Sequence, residues 1–430
     1  MKFTLNLQSL IARIGFLVVV ILIAVFLVDA IFKHYVVGTL TDDRQPLNRN
    51  KLLSAIGTFP DSARLNARLA EAELLNINAD RDLERAAYHA ARATSLSPNN
   101  YEYRLLAASI EELRGNREVA EAALRKAQEL APANSEVHWR IGNLLVRKGK
   151  LADALPEFKL ALSTRNEFVG NTLDLLWRAS GGKVETLESV ISENTKARIA
   201  LAQFLVNQKQ VDAAARVFAG LDRKAKLAAP ESAQILDRLM QAGALIEAKE
   251  LWVGLVSETP VNSNDFMWNG GFESDALKNF AQFDWNISRS DYARFSLDTA
   301  VAHGGSRSLK IDFVGKDTTR LEKEIKQVVA VSAGKKYRLE CFVKTDKFTA
   351  FSAPNELQVV VVDLKTNAEI AKSEAIQAGT IDWKRLTIDF VAPDVPPNGL
   401  LIAIRRLPQF SYDEPTKGTV WFDDFSLKEE

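Results

Sequence analysis

The stretch HWRIGNLLVRKGKLADALPEFKLAL, His138 to Leu162, reads as two short Ala/Leu-rich helices folded back at the turn RKGK. Aligned on the rest of the chain, it belongs to a period of 34 residues. Ala86, Ala120 and Ala154 recur at that spacing, as do Ala93, Ala127 and Ala161, Pro98 and Pro132, and the turn glycines Gly115 and Gly149. A second pair of units repeats it, with Ala214 and Ala248, Phe218 and Trp252, and Leu221 and Leu255. The spacing has a packing logic. Small residues let two antiparallel helices approach, a large residue four positions on (Leu124, Phe158, Phe218, Trp252) fills the groove between them, and proline ends the second helix.

This pattern, strongest from Ala67 to Thr164, resembles the tetratricopeptide repeat family. The resemblance implies an α-solenoid whose first helices line a concave groove that takes a protein segment. On one such helix Trp139, Asn143 and Arg147 share a face at spacings of four and are the candidate partner-binding residues; their alternative role is packing between repeats for Trp139 and a solvated charge for Arg147. Between Phe168 and Asn194 the small-residue positions are lost, which predicts a kink or short connector.

Upstream, Ile14 to Phe32 is a nineteen-residue apolar run whose only charge is Asp29. At about 1.5 Å per residue it just spans a hydrocarbon core of roughly 30 Å. A signal peptide cleaved after Ala30 is the competing reading. Richness in Val, Ile, Leu and Phe, continuing to Phe32, favours an uncleaved single-pass helix with Asp29 at its interfacial end. A tail of about thirteen residues favours an inside N-terminus, although Lys2 and Arg13 precede the run while Lys33, Arg44, Arg49 and Lys51 follow it. The expected organisation is a cytoplasmic tail, transmembrane helix and linker over 1–45, helical repeats over 46–258 and a further domain over 262–430.

That last domain begins where TPVNSN, Thr259 to Asn264, ends the helical signal and aromatic residues become frequent. Eight alternating segments follow, starting at Tyr292, Ser308, Leu321, Tyr337, Leu357, Lys384, Leu400 and Thr419, and predict a jelly-roll β-sandwich. The motifs NGGFE (Asn269 to Glu273), GGSRSLKI (from Gly304), VSAGKKYRLECFVK (from Val331) and VWFDDFSL (from Val420), with Trp285 and Trp383, come in the order of galactose-binding-like carbohydrate-binding modules, which this segment resembles. The resemblance implies a glycan ligand and a structural calcium held by Glu273 and Asp424, with backbone carbonyls of the His303 to Ser306 loop completing the shell. Capping carboxylates without metal are the alternative. Trp285, Trp383 and Trp421 match framework positions and are expected in the core, so the ligand contacts are placed in irregular segments: Phe348, Phe351, Arg405, Arg406, Phe410 and Tyr412.

Lys+Arg and Asp+Glu both number 55, which leaves no net field for a polyanion, so nucleic acid is not an expected partner. One cysteine, Cys341, excludes an intrachain disulfide. No nucleophile elbow, HExxH or phosphate loop is present, and Asp423 and Asp424, adjacent on a strand, are expected to point to opposite faces, so no enzyme is expected. The whole reads as a noncatalytic scaffold of the bacterial inner membrane with its bulk in the periplasm. Its repeats would bind a protein and its sandwich a glycan, in polysaccharide synthesis or export. A scaffold that binds only proteins is the alternative.

Overall fold

The computed structural model describes residues 10–42, 46–75, 82–191, 194–257, 266–316, 318–349, 356–393, 399–408 and 415–430. Among them fifteen α-helices precede ten strands, and the chain divides into two compact units, Met1–Ser192 and Glu193–Glu430.

The first unit holds α1 (Leu10–Leu40), α2 (Arg49–Thr58), α3 (Ala63–Leu74), α4 (Leu83–Leu96), α5 (Tyr101–Leu113), α6 (Arg117–Leu130), α7 (Ser135–Arg147), α8 (Leu151–Leu162), α9 (Val169–Ser180) and α10 (Val184–Val190). Helix α1 is long and apolar enough to cross a membrane. It runs eight residues past the apolar segment, and its last turns, through Val37 and Leu40, pack with Leu52, Leu65 and Leu69 of α2 and α3. Helices α3 to α8 pair as antiparallel hairpins. The repeating alanines at 86, 120 and 154 and at 93, 127 and 161 are all fully buried, because at those positions the backbones are closest and a larger side chain would hold them apart. Two successive repeats are also punctuated in the same way. Asn100 and Asn134, 34 residues apart, cap α5 and α7 by accepting backbone N–H groups through their side-chain oxygens. Gly115 (φ 84°) and Gly149 (φ 75°) take the left-handed turn that closes α5 and α7. Beyond α8 the rhythm fails as the sequence indicates: a 3₁₀ turn, Asn166–Phe168, leads to α9, and α10 is only seven residues long.

The second unit opens with α11 (Thr195–Asn207), α12 (Val211–Ala219), α13 (Arg223–Ala228), α14 (Glu231–Gln241) and α15 (Leu245–Val256) and continues into two antiparallel five-stranded sheets. The strands are β1 (Asn286–Ile287), β2 (Ala293–Asp298), β3 (Ser308–Val314), β4 (Ile325–Ala330), β5 (Lys336–Thr349), β6 (Gln358–Asp363), β7 (Glu369–Lys372), β8 (Gly379–Val391), β9 (Gly399–Arg405) and β10 (Lys417–Glu429). One sheet runs β1-β4-β9-β6-β7 and the other β2-β3-β10-β5-β8. Their inner faces share one core, from Leu309, Ile311, Leu339, Ile388, Phe422 and Trp285 to Val359, Val361 and Ile402. Eight strand segments are expected from the sequence; β1 and β7, at two and four residues, are too short to show an alternation.

Strands β6 and β9 are buried on both faces. Besides the shared core, Val360, Val362, Leu401 and Ala403 form a second cluster on the outer side of their sheet. Helix α15 lies there: a Cβ placed on Gly399 would meet Leu245 Cδ2. At one end of the same helix, Trp252 is fully buried, donates its indole N–H to the carbonyl of Phe280 at 2.8 Å and meets Trp268 edge-on at 4.9 Å between ring centres. The helices and sheets of this unit are therefore one packed body.

Candidate functional site

Three places bear on function. The first is a groove of about 510 Å³ in the first unit, crossed by the first helix of each hairpin. Arg64, Arg68 and Glu71 of α3, Glu102, Tyr103 and Ser109 of α5, and Glu136 and Arg140 of α7 line it. Their side chains share a face because α3, α5 and α7 stack in register, one per repeat. Arg68 pairs with Glu71 and Arg140 with Glu136, both at 2.8 Å, and Arg140 also donates to the Ser109 hydroxyl. Burial raises the Tyr103 phenol above its ordinary range, opposed by the charge of Arg64, so it stays a neutral donor and acceptor.

The sequence-derived triad lies on α7 but is committed elsewhere. Trp139 stacks on Phe168 at 5.0 Å and 15° and donates to Thr172 Oγ1 at 3.1 Å, a contact worth about 0.5–1.5 kcal/mol beyond the area it covers. Asn143 donates to the Trp139 carbonyl at 2.7 Å, and Arg147 forms an ion pair with Glu112 of α5. Trp139 and Arg147 thus tie α7 to its neighbours, while Asn143 bonds back onto its own helix. The groove residues on α3 and α5 are missed by sequence reasoning because only stacking brings three helices from successive repeats onto one surface.

The second place is the carboxylate cluster at the 303–306 loop. Glu273 accepts N–H groups from Ser306 (2.9 Å) and Arg307 (3.1 Å) on one oxygen and the Ser306 hydroxyl (2.6 Å) on the other, which holds it below the usual carboxylate range. Asp424 meets His303 Nδ1 at 2.7 Å. Asp423, fully buried, accepts from the backbone N–H groups of His303 (2.8 Å), Gly304 (3.2 Å) and Asp424 (2.8 Å); burial raises it despite those donors. The expectation that Asp423 and Asp424 point to opposite faces is corrected here. The register of β10 against β5 shifts after Asp423, and Asp424 has φ 49°, so the bulge turns both carboxylates onto the same loop. Glycines make the approach possible: a Cβ on Gly304 would lie 2.5 Å from Asp424 Oδ2, and one on Gly305 2.3 Å from Glu273 Oε1. Glu273 and Asp424 thus stand at the loop expected for calcium. In this structure the groups that meet them are the Ser306 and Arg307 N–H groups and the Ser306 hydroxyl at Glu273, and His303 at Asp424. Among the described residues no three or more His, Cys, Asp or Glu are grouped to hold a metal ion.

The third place is the outer face of the β2-β3-β10-β5-β8 sheet. Trp285 is in the core, as expected; Trp421 is buried too, at 8% exposed, but on the outer side of its sheet and outside the shared core, and Trp383 is half-buried there. Trp421 lies under Lys310 (5.8 Å to the ring centre) and donates to Asp298 at 2.9 Å. Beside it His303 stacks on Phe342 at 3.6 Å and 15° and meets Trp383 edge-on at 5.5 Å. Around these rings Lys344 pairs with Asp382 (2.5 Å), Arg338 with Asp389 (2.7 Å) and Lys310 with Asp312 (3.4 Å), leaving a ring-bearing surface of locally balanced charge. A period of two locates these tryptophans: 383 and 421 fall out of phase with the inward positions Leu386 and Ile388, and Val420 and Phe422.

The sequence-derived ligand contacts do not gather there. Phe348 is 1% exposed and packs on Phe313 at 5.8 Å, because its position on β5 faces inward. Arg405 is ion-paired with Glu369 of β7 in the other sheet, and Arg406, also 1% exposed, donates to the Thr319 carbonyl at 2.5 Å. Phe351, Phe410 and Tyr412 lie outside the described residues.

No family model matches this chain, and no curated protein matches it. Among solved structures it is similar to a crystal structure of the MamA protein, at 13% identity over 37% of this chain and 83% of that one, with a TM-score of 0.30. It is also similar to YrrB, described as a TPR protein with an unusual peptide-binding site, at 17% identity over 49% of this chain and 95% of that one (TM-score 0.25). A CBM4 structure is similar at 20% identity over 38% of this chain and 99% of that one (TM-score 0.28). Scores this low carry no conclusion about this chain.

Proposed function

We propose that this protein is a noncatalytic scaffold attached to a membrane by α1, whose helical hairpins hold a protein segment in the groove across α3, α5 and α7. The groove itself carries the reading: three stacked first helices present arginines, glutamates, a tyrosine and a serine along one polar channel. Charge reversal at Arg64 and Arg140 should abolish co-purification of the partner from solubilised membranes while the helical fold, read by circular dichroism, is kept. Retention of the same partner by the doubly reversed chain would end this reading.

The sandwich, in the same proposal, takes a glycan on its outer sheet face. Aromatic rings stack on the C–H surfaces of sugar rings, and the balanced charges of Lys344, Asp382, Lys310 and Asp312 suit the hydroxyls of an uncharged polymer better than a polyanion. With α1 in the inner membrane of a bacterial envelope and the bulk of the chain in the periplasm, the setting is polysaccharide synthesis or export. Retardation of the protein in polysaccharide-containing native gels tests the glycan half. One observation favours the alternative of two protein-binding domains: the outer face of the other sheet is already covered by protein, namely α15. Absence of retardation by every neutral and anionic polysaccharide tried would select that alternative.

A further inference from the structure

The groove of the first unit begins where α1 ends. Thr41, immediately after α1, is fully buried and lines the groove, and the carbonyl of Asp42 accepts from Arg68 Nη2 at 3.3 Å. With Val37 and Leu40 packed against Leu52, Leu65 and Leu69, there is no slack between helix and groove. In contrast, the large apolar side chains from Ile14 to Phe32 are at least 43% exposed, so nothing in the unit covers the upstream part of the same helix. Phe32 and Thr41 are nine residues apart, about 13 Å of helix at ~1.5 Å per residue. On the anchor reading of α1, the mouth of the groove is held roughly that far above the hydrocarbon surface.

We infer that the segment taken by the groove is the juxtamembrane tail of a second integral membrane protein, which leaves the bilayer beside α1 and runs across α3, α5 and α7. The inference rests on the reading of the groove as a partner site and of α1 as an anchor. A tail in extended form covers the distance from the bilayer to the groove in about four residues at ~3.3 Å each, so a partner rooted in the same membrane reaches it at once. A soluble ligand would gain nothing from a groove fixed at this height. The lining suits a polar tail of mixed charge: Arg64, Arg68 and Arg140 are matched by Glu71, Glu102 and Glu136, and Tyr103 and Ser109 add hydroxyls. That balance disfavours a cluster of anionic lipid headgroups, which would select a net positive surface. It also disfavours an apolar helix, which would take the Arg68–Glu71 and Arg140–Glu136 pairs and the Glu102 carboxylate out of water and offer them no hydrogen bond.

The test uses the full-length chain in its native membrane, with the photoreactive residue benzoylphenylalanine in place of Tyr103. A second probe at Ser109 guards against misfolding of the first, and a control probe sits at Tyr88, which is 65% exposed on α4. Crosslinked peptides are identified by mass spectrometry. The expected adduct, at 103 and 109 but not at 88, is a peptide within about fifteen residues of a membrane span of another protein, and charge reversal at Arg64 and Arg140 lowers its yield at least tenfold. An adduct with a soluble protein, or with a region distant from any span, overturns the juxtamembrane assignment and leaves partner binding standing. Adducts with lipid only, or none at either groove position, overturn both.

Discussion

Gly142 of α7 faces the ring of Phe158 in α8 so closely that a Cβ on the glycine would stand 2.8 Å from Phe158 Cε1. One repeat earlier the equivalent positions are Ala108 and Leu124, 1% and 0% exposed. The large residue and the small one thus trade volume from repeat to repeat. Gly142→Ala should destabilise by about 1–3 kcal/mol, the usual cost of overfilling a packed site, even though alanine is the better helix former by ~1 kcal/mol. Adding Phe158→Leu, which reproduces the preceding repeat, should recover most of the loss. A double variant as unstable in urea as the sum of its parts would refute this coupling.

Trp139 marks where the sequence stops being informative. Its position on the first helix of a repeat could be read, since the alanine ladder, the proline stops and the turn glycines each have a local cause. Its stacking on Phe168 could not, because that contact depends on how the chain turns where the period fails. The same division holds in the second unit. Alternation placed β3, β5, β8 and β10, but assigning Trp383 and Trp421 to the inter-sheet core followed motif order when their phase in the strand already pointed outward; Trp421 is buried on that outer side instead. The groove across α3, α5 and α7 was invisible for a different reason: it is a property of stacking between repeats and of no single one.

Lys209 occupies the turn position taken by Gly115, Gly149 and Gly243 in other hairpins, and it does so with φ 60°. A side chain in the left-handed region costs roughly 1–2 kcal/mol, while glycine adds about 0.4–1 kcal/mol of unfolded-state entropy to be lost. Lys209→Gly should therefore raise stability by about 0.5–1 kcal/mol. Chemical denaturation of the variant checks it, and a lower midpoint would show that the lysine contributes more than its strain costs.

Glu157, buried in α8, receives Arg125 Nη1 at 2.6 Å and faces His138 Nδ1 at 2.7 Å, with Gln128 also donating to it at 3.2 Å. Burial alone would raise its carboxyl, but the bonds to His138 and Arg125 outweigh burial and the folded value is lowered. A lowered folded value means stability that is fully present above the unfolded glutamate pKa and lost as pH falls through the folded one. Glu157→Gln should cost about 3 kcal/mol at pH 7 and progressively less relative to the parent below pH 4. Parallel unfolding curves for parent and variant across that range, with a constant gap, would exclude this role for the carboxylate.

Glu273 binds three donors from the 306–307 backbone and the Ser306 hydroxyl, and those bonds need no cation. Glu273→Ala should lower Tm by the same amount in EDTA as in millimolar calcium, because the lost partners are protein groups. Calorimetry in the two buffers separates the cases. A drop seen only in calcium would mean that the ion, and not the loop, is what the carboxylate holds.

The unbroken apolar runs VVVV in β6 and LLIAI in β9 carry a last consequence. In a free-standing sandwich one face of each strand meets water and the sequence alternates; here Val360, Val362, Leu401 and Ala403 form an outer cluster where α15 lies, with Leu245 against Gly399. Lys249 of α15 sits 5.3 Å from the ring centre of Phe283 and 5.9 Å from that of Trp268, so the same helix meets the segment leading into the sandwich through cation–π contacts as well. A protein starting at residue 266 would expose this apolar face along strands already prone to pair, and should aggregate on expression. One starting at residue 194, which keeps α11 to α15, should be soluble and unfold in a single transition. Analytical ultracentrifugation and calorimetry of the two distinguish them: a monomeric, cooperatively folded 266–430 fragment would mean that α15 covers the sheet without being required by it.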